Sequence, residues 1–409
     1  MILSFGVALV AACGARTGLR AGGDAGPSPI VDDGGGPPVE PPICVIANVD
    51  APTRVEVSFS TRIETADVLF LVDVTSSMNE EIDEIRQRLK DTIAPGIAAE
   101  VRNVRFGVAY FADFPAEGFG QPSDRPYGLL QEVTDDLDDL EIAVDSLPLL
   151  DGGDGAESQV EALFQSATGE GLGGFVEPGR CAADRRGYAC FRPEATPILL
   201  LFTDAEFHNG PGGDNPYAGI DPPPHSYGQA VDALTAIGAK VIGLNSGGGF
   251  GEPHLLRIAE DTGAIGEFGP VVFDIGFAGE SLDEGVIESM RILAEEVPID
   301  VSARAEDVAG DEVNTEGFVV SLTALRAEPP DGVEGLEADR FRQVRPGTTV
   351  VFELILDTTS LPRLENVREH WLRIVLVGEG VTPLAERNVI IRIPGTAEDA
   401  SCGDDAPAP

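Results

Sequence analysis

Three loops in the sequence carry the oxygen-bearing side chains best suited to chemistry. They are LFLVDVTSSM, LDGGDGAES and LLLFTDAEFH, which contain Asp73, Thr75, Ser77, Asp154, Glu157 and Asp204. Carboxylates and hydroxyls are hard ligands, suited to Mg²⁺, Ca²⁺ or Mn²⁺ rather than to Zn²⁺ or Cu²⁺. Because Thr75 and Ser77 would ligate without adding charge, the ion would stay electrophilic enough to accept a partner's carboxylate. The loops therefore predict a divalent-cation site that binds a partner.

Alternating strand and helix patterns surround these loops. The apolar runs DVLFLVD, VRFGVAYF, PILLLFTD, AKVIGLNS and VVFDIG are typical of strands covered on both faces. Helical patterns separate them, including AESQVEALFQSA, SYGQAVDALTAIG, HLLRIAEDTG and SLDEGVIESMRILAEE. A further helix, with Met78, Ile82, Ile85 and Leu89 at helical spacing, is expected to end at Pro95-Gly96. The order predicts a doubly wound, mainly parallel α/β sheet, which binds ligands at the carboxyl ends of its strands.

The segment DVTSSM resembles the DxSxS-type motif of the metal-ion-dependent adhesion site, with Thr in the first hydroxyl place. The strand before it, the helix after it and FTDAEFH downstream extend this likeness. From about Ala66 to Glu296 the chain resembles von Willebrand factor A-type domains, and more closely the A-like domain of integrin β subunits and related bacterial surface lipoproteins. The resemblance implies that the central metal ion is held by Asp73, Thr75, Ser77 and Glu157. It also implies that Asp204 completes the coordination shell of this ion, directly or through water.

The resemblance also implies two further ion sites. Glu80 and Glu81 match an adjacent acidic pair that holds a second ion, although the family has Asp there. A third, flanking site would use Asp113, Asp154, the Ala156 carbonyl and Glu157. The sequence departs from the family at this flanking site, with Gly152 in place of an amide ligand and Ala156 in place of proline.

Each of these residue types also has a simpler structural role. Asp73, Thr75 and Ser77 would suit a helix N-cap turn, and Glu157 would suit a helix N-terminus. Asp113, Asp154 and Asp204 would suit turns, and Glu80 and Glu81 would suit an exposed helix face. His208 lies near Asp204 in sequence, and a packing or supporting role is favoured for it.

No enzyme motif accompanies the acidic loops. HExxH, GxSxG, a Walker loop and a dinucleotide fingerprint are all absent from the sequence. We therefore expect no catalytic residues and no enzymatic activity. A metal-dependent hydrolase using Asp73, Asp204 and His208 stays as the less favoured alternative, since neither an activated water nor a base is evident.

Charge and the first residues bear on partners and location. With 70 acidic and 27 basic residues the formal charge is −43, which repels nucleic acid and anionic lipid. The start MILSFGVALVAACG resembles a bacterial lipoprotein signal with Cys13 as the lipidated residue, although no Lys or Arg precedes the apolar run. Ordinary signal cleavage and a chance apolar start are the alternatives. We expect export and anchoring at the cell envelope, at the outer membrane or cell surface, with membrane contact only through the lipid.

The remaining cysteines and the change of pattern define the domains. Cys181 and Cys190 are expected to close one loop and Cys44 and Cys402 to join the chain ends, while a zinc site is the alternative. After Val297 the segments are strand-like and predict a β-sandwich. The predicted divisions are 1–13 signal, 14–43 disordered tether, 44–64 strands joining the sandwich, 65–297 A-type domain, 298–402 β-sandwich and 403–409 tail.

Together these patterns predict a metal-dependent surface adhesion or recognition protein. Its Mg²⁺ or Ca²⁺, with Mn²⁺ also suitable, would bind a protein partner that offers a carboxylate. The alternative is an envelope structural or assembly lipoprotein in which the metal only stiffens the loops. In integrin-like domains the last helix shifts when ligand binds, so the helix SLDEGVIESMRILAEE would transmit binding to the sandwich.

Overall fold

A computed structural model describes residues 36–247, 249–310 and 313–402. The predicted signal with Cys13, the tether up to residue 35 and the tail 403–409 lie outside the described residues. Within the described ranges, no helix is long and apolar enough to cross a membrane.

The described residues form nineteen strands and seven α-helices. The strands are β1 (Val39–Ile46), β2 (Thr53–Ser60), β3 (Thr65–Asp73), β4 (Asn103–Phe111), β5 (Gly128–Thr134), β6 (Ala156–Glu157), β7 (Thr196–Thr203), β8 (Glu206–Phe207), β9 (Lys240–Asn245), β10 (Ile265–Gly266), β11 (Gly269–Pro270), β12 (Val272–Asp274), β13 (Ile299–Asp307), β14 (Val319–Glu328), β15 (Gly335–Leu336), β16 (Arg340–Val344), β17 (Thr349–Leu356), β18 (Arg368–Gly378) and β19 (Thr382–Ile393). The helices are α1 (Asn79–Arg88), α2 (Ala94–Glu100), α3 (Leu137–Asp145), α4 (Gln159–Thr168), α5 (Tyr227–Ala236), α6 (Glu252–Asp261) and α7 (Leu282–Glu295).

A six-stranded sheet in the order β12-β9-β7-β3-β4-β5 forms the centre of the α/β region. All its neighbours pair in parallel except β5, which runs antiparallel to β4. Every residue of β3, β7 and β9 is buried, as expected for parallel strands covered on both faces. The prediction of a mixed α/β fold with a mainly parallel sheet is confirmed.

Helices cover both faces of this sheet. Alternate residues of β3 enter different cores, since successive side chains of a strand point to opposite faces. Phe70 packs on the face covered by α1, α3 and α7, whereas Leu69 and Leu71 pack on the face covered by α4, α5 and α6. The three central strands therefore form a buried support for the loops at their carboxyl ends.

The first helical region does not end where the sequence suggested. A five-residue π turn, Leu89–Ile93, follows α1, and the chain then continues into α2. The expected stop at Pro95-Gly96 is wrong, because Pro95 lies in the first turn of α2, directly after the π turn, and the chain stays helical to Glu100. At Gly96 a Cβ would lie 2.3 Å from Ile287 Cδ1, so glycine permits the close approach of α2 to α7.

Two sheets share one apolar core in the remaining part of the chain. Their strand orders are β1-β19-β18-β13-β16-β15 and β14-β17-β2. β1 pairs in parallel with β19, and β2 pairs antiparallel with β17, so segments that precede the α/β region join strands that follow it. β1 begins at Val39, so the tether prediction for 14–43 is wrong over its last five residues, of which Val39, Glu40 and Ile43 pair with β19.

Both predicted disulfides are present. Cys44–Cys402 joins the end of the described chain to β1, with the two Cα atoms 5.8 Å apart. Cys181–Cys190 closes a short loop between α4 and β7, with a Cα separation of 5.3 Å.

Candidate metal centre

Short ladders bring the three predicted loops together at the carboxyl edge of the sheet. Asp73 is the last residue of β3, and Asp204 directly follows β7, its neighbour in the sheet. The second loop is attached by the two-residue ladder between β6 and β8, in which Glu157 pairs with Phe207. An isolated bridge also joins Thr75 to Leu150. Backbone pairing therefore places the loops next to each other before any side chain is considered.

A chain of hydrogen bonds runs from the buried end of β3 to the surface. Asp73 Oδ1 accepts from the Thr75 backbone N–H at 3.0 Å and from Thr75 Oγ1 at 2.7 Å, while Thr203 Oγ1 donates to Asp73 Oδ2 at 2.7 Å. Thr75 Oγ1 lies 3.2 Å from Ser77 Oγ, which donates to Asp204 Oδ1 at 3.1 Å. Asp73 is fully buried and Ser77 is exposed, so the site opens to solvent on the Ser77 side.

Glu157 lies beside this chain without a complete set of partners. Only 4% of the residue is exposed, and Oε2 is buried with no hydrogen-bond partner. The other oxygen lies against Gly152, where a Cβ would approach Glu157 Oε1 to 2.6 Å and Thr75 Cγ2 to 3.3 Å. Gly152 has φ +68°, which glycine adopts without strain. The glycine at position 152 thus makes room for Glu157.

The electrostatics of the site favour a bound cation. Burial, with the charge of Asp204 adding to it, raises the pKa of Asp73 to about 7. Burial and then Asp73 and Asp113 raise the pKa of Glu157 to about 11, and burial also raises the pKa of Asp204. None of the ion pairs formed within the described ranges involves Asp73, Glu157 or Asp204. A divalent cation would supply the missing positive charge, and all the donors are the oxygens that Mg²⁺ and Ca²⁺ prefer.

Hydroxyl groups, rather than direct contact, link the carboxylates of this centre. In the part of the chain that the structure describes, one group of three acidic or imidazole side chains has all its ligand atoms within 4.8 Å of one another. That group is Asp113, Asp154 and His208, at the predicted flanking position. Asp113 and Asp154 were predicted there, but His208 was expected to pack or to support, and the sequence offered no reason to group it with them.

The residues of the predicted Glu80–Glu81 ion site differ sharply in environment. Glu80 is exposed, whereas Glu81 is fully buried, because consecutive residues of a helix point about 100° apart. Glu81 Oε1 accepts a hydrogen bond from Ser246 Oγ, and Ser246 Oγ also lies 3.3 Å from the Gly276 carbonyl oxygen. Burial raises the pKa of Glu81. Glu81 therefore connects α1 to the loops after β9 and β12.

Thr203 is a site residue that the sequence reasoning missed. Its hydroxyl donates to Asp73 across two neighbouring strands. The only signal in the sequence is its place directly before Asp204 at the end of an apolar run.

Comparison with known proteins assigns the chain to no family. No protein-family model matches the chain, and no curated protein matches it. A von Willebrand factor type A structure from Catenulispora acidiphila is 12% identical, with 88% of this chain and 75% of that chain covered and a TM-score of 0.38. Two structures of proximal thread matrix protein 1 from the mussel byssus are each 17% identical, cover 60% and 62% of this chain and 50% of theirs, and give TM-scores of 0.34 and 0.35. At these values the likeness decides nothing about function.

Proposed function

We propose that this chain is a metal-dependent recognition protein. Its divalent cation, Mg²⁺ or Ca²⁺, would be held by Asp73, Thr75, Ser77 and Asp204, with Glu157 beside it. The observation that carries this proposal is the buried Glu157 Oε2, which has no partner although it lies among other buried acids. A buried carboxylate without a positive partner is costly, and a cation would remove that cost.

The side from which a partner can reach the proposed cation indicates the class of partner. Asp73 is fully buried at the bottom of the site, and Ser77 is exposed at its mouth. With two neutral hydroxyls among its ligands, the cation would keep part of its charge for an incoming anion. A carboxylate from a protein partner fits this position, in the manner of a metal-ion-dependent adhesion site of the von Willebrand A type, here of the integrin β-like branch. No catalytic step is included.

The location that we propose is the bacterial cell envelope. The two disulfides fit a protein that folds in an oxidising compartment. Lipidation at Cys13 would then place the site at the outer membrane or cell surface. We interpret the two sheets with a shared core as a β-sandwich. In this arrangement α7, which ends four residues before β13, would connect the metal centre to the sandwich.

Calorimetric titration of the full chain with Mg²⁺ and with Ca²⁺ tests the metal site. Ser77 and Ser76 provide a matched pair, since both hydroxyls are exposed and only Ser77 contacts Asp204. We expect EDTA-reversible binding in wild type, affinity at least about tenfold weaker in Ser77→Ala, and no change in Ser76→Ala. Absence of EDTA-reversible binding in wild type, or equal affinities in the two variants, would overturn the site.

Water relaxation with bound Mn²⁺ separates recognition from a purely structural metal. An ion with an open coordination position exchanges water and enhances proton relaxation, and acetate, as a carboxylate probe, should displace that water. Ser77→Ala gives the contribution of Mn²⁺ bound elsewhere. A site that shows no enhancement and no response to acetate would have a closed shell, which supports the envelope structural role instead.

A further inference from the structure

We propose that the flanking site predicted at Asp113 and Asp154 takes His208 as its third ligand and prefers Zn²⁺-class ions. The Nε2 atom of His208 lies 3.1 Å from Asp154 Oδ1 and 3.6 Å from Asp113 Oδ2. All three ligand atoms lie within 4.8 Å of one another, so a single ion can contact all of them. This inference uses none of the four principal ligands proposed for the first cation and does not depend on that proposal.

The hydrogen bond on the far side of the imidazole ring directs Nε2 toward the site. His208 Nδ1 lies 2.7 Å from the Asn215 carbonyl oxygen, an acceptor that requires the proton on Nδ1. Nε2 of the neutral ring then presents its lone pair to the two aspartates. Metal-bound histidines in proteins regularly have their second nitrogen held in this way.

Aromatic rings and the backbone fix the orientation of His208. Tyr217 stacks on the ring with the centroids 4.1 Å apart, and Phe119 meets it edge-on at 5.2 Å. The His208 backbone N–H donates to the Glu157 carbonyl oxygen at 2.8 Å, continuing the ladder between β6 and β8. The ligand is therefore positioned before any ion arrives, which reduces the entropy lost on binding.

The buried carboxylate of Asp113 is an independent observation that favours a cation at this cluster. Its side chain is fully buried, and Oδ1 accepts hydrogen bonds from the Phe114 backbone N–H at 2.7 Å and from the Tyr217 hydroxyl. Oδ2 is also buried but has no hydrogen-bond partner, and it faces His208 Nε2. A buried, unpaired carboxylate oxygen aimed at an imidazole lone pair is unfavourable unless a cation lies between them.

The mixed nitrogen and oxygen ligands determine the class of ion. Ca²⁺ and Mg²⁺ favour oxygen ligands, whereas imidazole suits Zn²⁺ and other first-row transition metals. One His and two carboxylates make three protein ligands, which leaves a fourth, tetrahedral position for water. The Asp154 side chain is 38% exposed, so an ion and its water can enter from that side. The two sites would therefore sort metals by ligand chemistry.

The rival arrangement is a protonated His208 paired with both aspartates. It needs no metal, and it predicts that Zn²⁺ does not bind to the cluster. The two arrangements differ in a measurable way, because only a metal ligand carries a lone pair on Nε2.

Zn²⁺ titration of the full chain in excess Mg²⁺ tests the proposal. His225 is the matched control, since its Nδ1 also pairs with a buried carboxylate, Glu161, at 2.9 Å. We expect His208→Gln to weaken Zn²⁺ binding at least about 100-fold, the upper end of the loss seen when an outer-shell partner is removed, and His225→Gln to leave it unchanged. Ser77→Ala should keep Zn²⁺ binding while binding Mg²⁺ at least about tenfold more weakly.

Proton NMR of the Co²⁺-loaded chain adds a readout specific to imidazole ligation. A ring bound through Nε2 gives a hyperfine-shifted, exchangeable Nδ1–H resonance, which the hydrogen bond to Asn215 should protect. We expect it in wild type and Ser77→Ala but not in His208→Gln. If circular dichroism shows that His208→Gln is unfolded, Asp154→Asn at the exposed ligand replaces it. Wild type without Zn²⁺ binding, unchanged affinity in both cluster variants, or Zn²⁺ lost only in Ser77→Ala would overturn the proposal.

Discussion

The central strand β3 carries a buried aspartate near each end, and the chain treats the two differently. Asp67, near the amino end, is paired with Arg192, whose Nη2 lies 2.7 Å from Oδ1 and whose Nε donates to the same oxygen at 2.8 Å. Asp73, at the carboxyl end, is equally buried but receives only the neutral donors of Thr75 and Thr203. One acid is neutralised by the chain itself, and the other is left to a proton or an external cation.

This difference separates a structural end of the sheet from a functional one. A buried charge must be paired and hydrogen-bonded to be tolerated. The Asp67–Arg192 pair meets this requirement permanently and fastens the loop after Cys190 to the sheet. At the carboxyl edge the Asp73 carboxylate gains a positive partner only when a cation binds. Cation binding should therefore increase the free energy of unfolding.

The largest expected effect comes from breaking the permanent pair. Arg192→Gln leaves the Asp67 carboxylate buried without its cation and should lower the free energy of unfolding by about 3–5 kcal/mol. Urea unfolding measures this loss. Arg54→Gln, which removes an exposed partner of Glu353, should change stability by less than about 1 kcal/mol. Mg²⁺ affinity should be unchanged in folded Arg192→Gln, and a weakened affinity would contradict the separation of the two ends.

The pH dependence of the metal-free protein comes next. The folded pKa values of Asp73 and Glu157, about 7 and about 11, lie above their unfolded values near 4, so the folded state binds more protons. The contribution of Asp73 and Glu157 to the stability of EDTA-treated protein should therefore be greatest near pH 4–5 and fall as the pH rises toward 7 and beyond. Saturating Mg²⁺ should reduce the change of the melting temperature with pH, as measured by thermal unfolding.

Glu157→Gln supplies the control for this pH profile. The amide imitates the protonated acid, so the metal-free variant should be more stable than wild type at pH 8 and bind Mg²⁺ more weakly. A metal-free wild type whose stability rises between pH 5 and pH 8 would show that these acids are not the dominant titrating groups.

Removal of one neutral donor to Asp73 should have a smaller effect. Thr203→Val keeps the side-chain shape but leaves Asp73 Oδ2 without its hydrogen bond, which should cost about 1–3 kcal/mol in the metal-free protein. Thr235→Val, at an exposed position of α5, should stay within about 0.5 kcal/mol. Equal unfolding midpoints for the two variants would mean that Thr203 does not support Asp73.

The smallest expected effect tests the space kept for Glu157. Gly152→Ala places a side chain on a residue with φ +68° and should cost about 1–2 kcal/mol, while displacing Glu157 and weakening Mg²⁺ binding. Gly155→Ala in the same loop is the control, because its Cβ would meet no atom within 4 Å. If the two variants bind Mg²⁺ alike, Glu157 does not need the space at Gly152.

The sequence by itself determined the buried strands of the parallel sheet and the edge at which the acidic loops meet. DVLFLVD and PILLLFTD predict buried parallel strands because their apolar residues are continuous, and the acidic loops after them had to meet at the carboxyl edge. Local pattern was sufficient here because burial and strand direction are properties of each segment. Where two local signals competed, as at Pro95, the pattern marked the wrong helix end.

Tertiary structure alone decided which distant side chain contacts each of the aspartates at the ends of the strands and in the loops. Arg192 reaches Asp67 across 125 positions, Thr203 reaches Asp73 across 130, and His208 reaches Asp154 across 54. No periodicity marks such residues, since their partners are chosen by strand order and by the two-residue ladder between β6 and β8. The sequence therefore determines that acids gather at this edge, and the packing of distant segments decides which of them receives a cation from the chain.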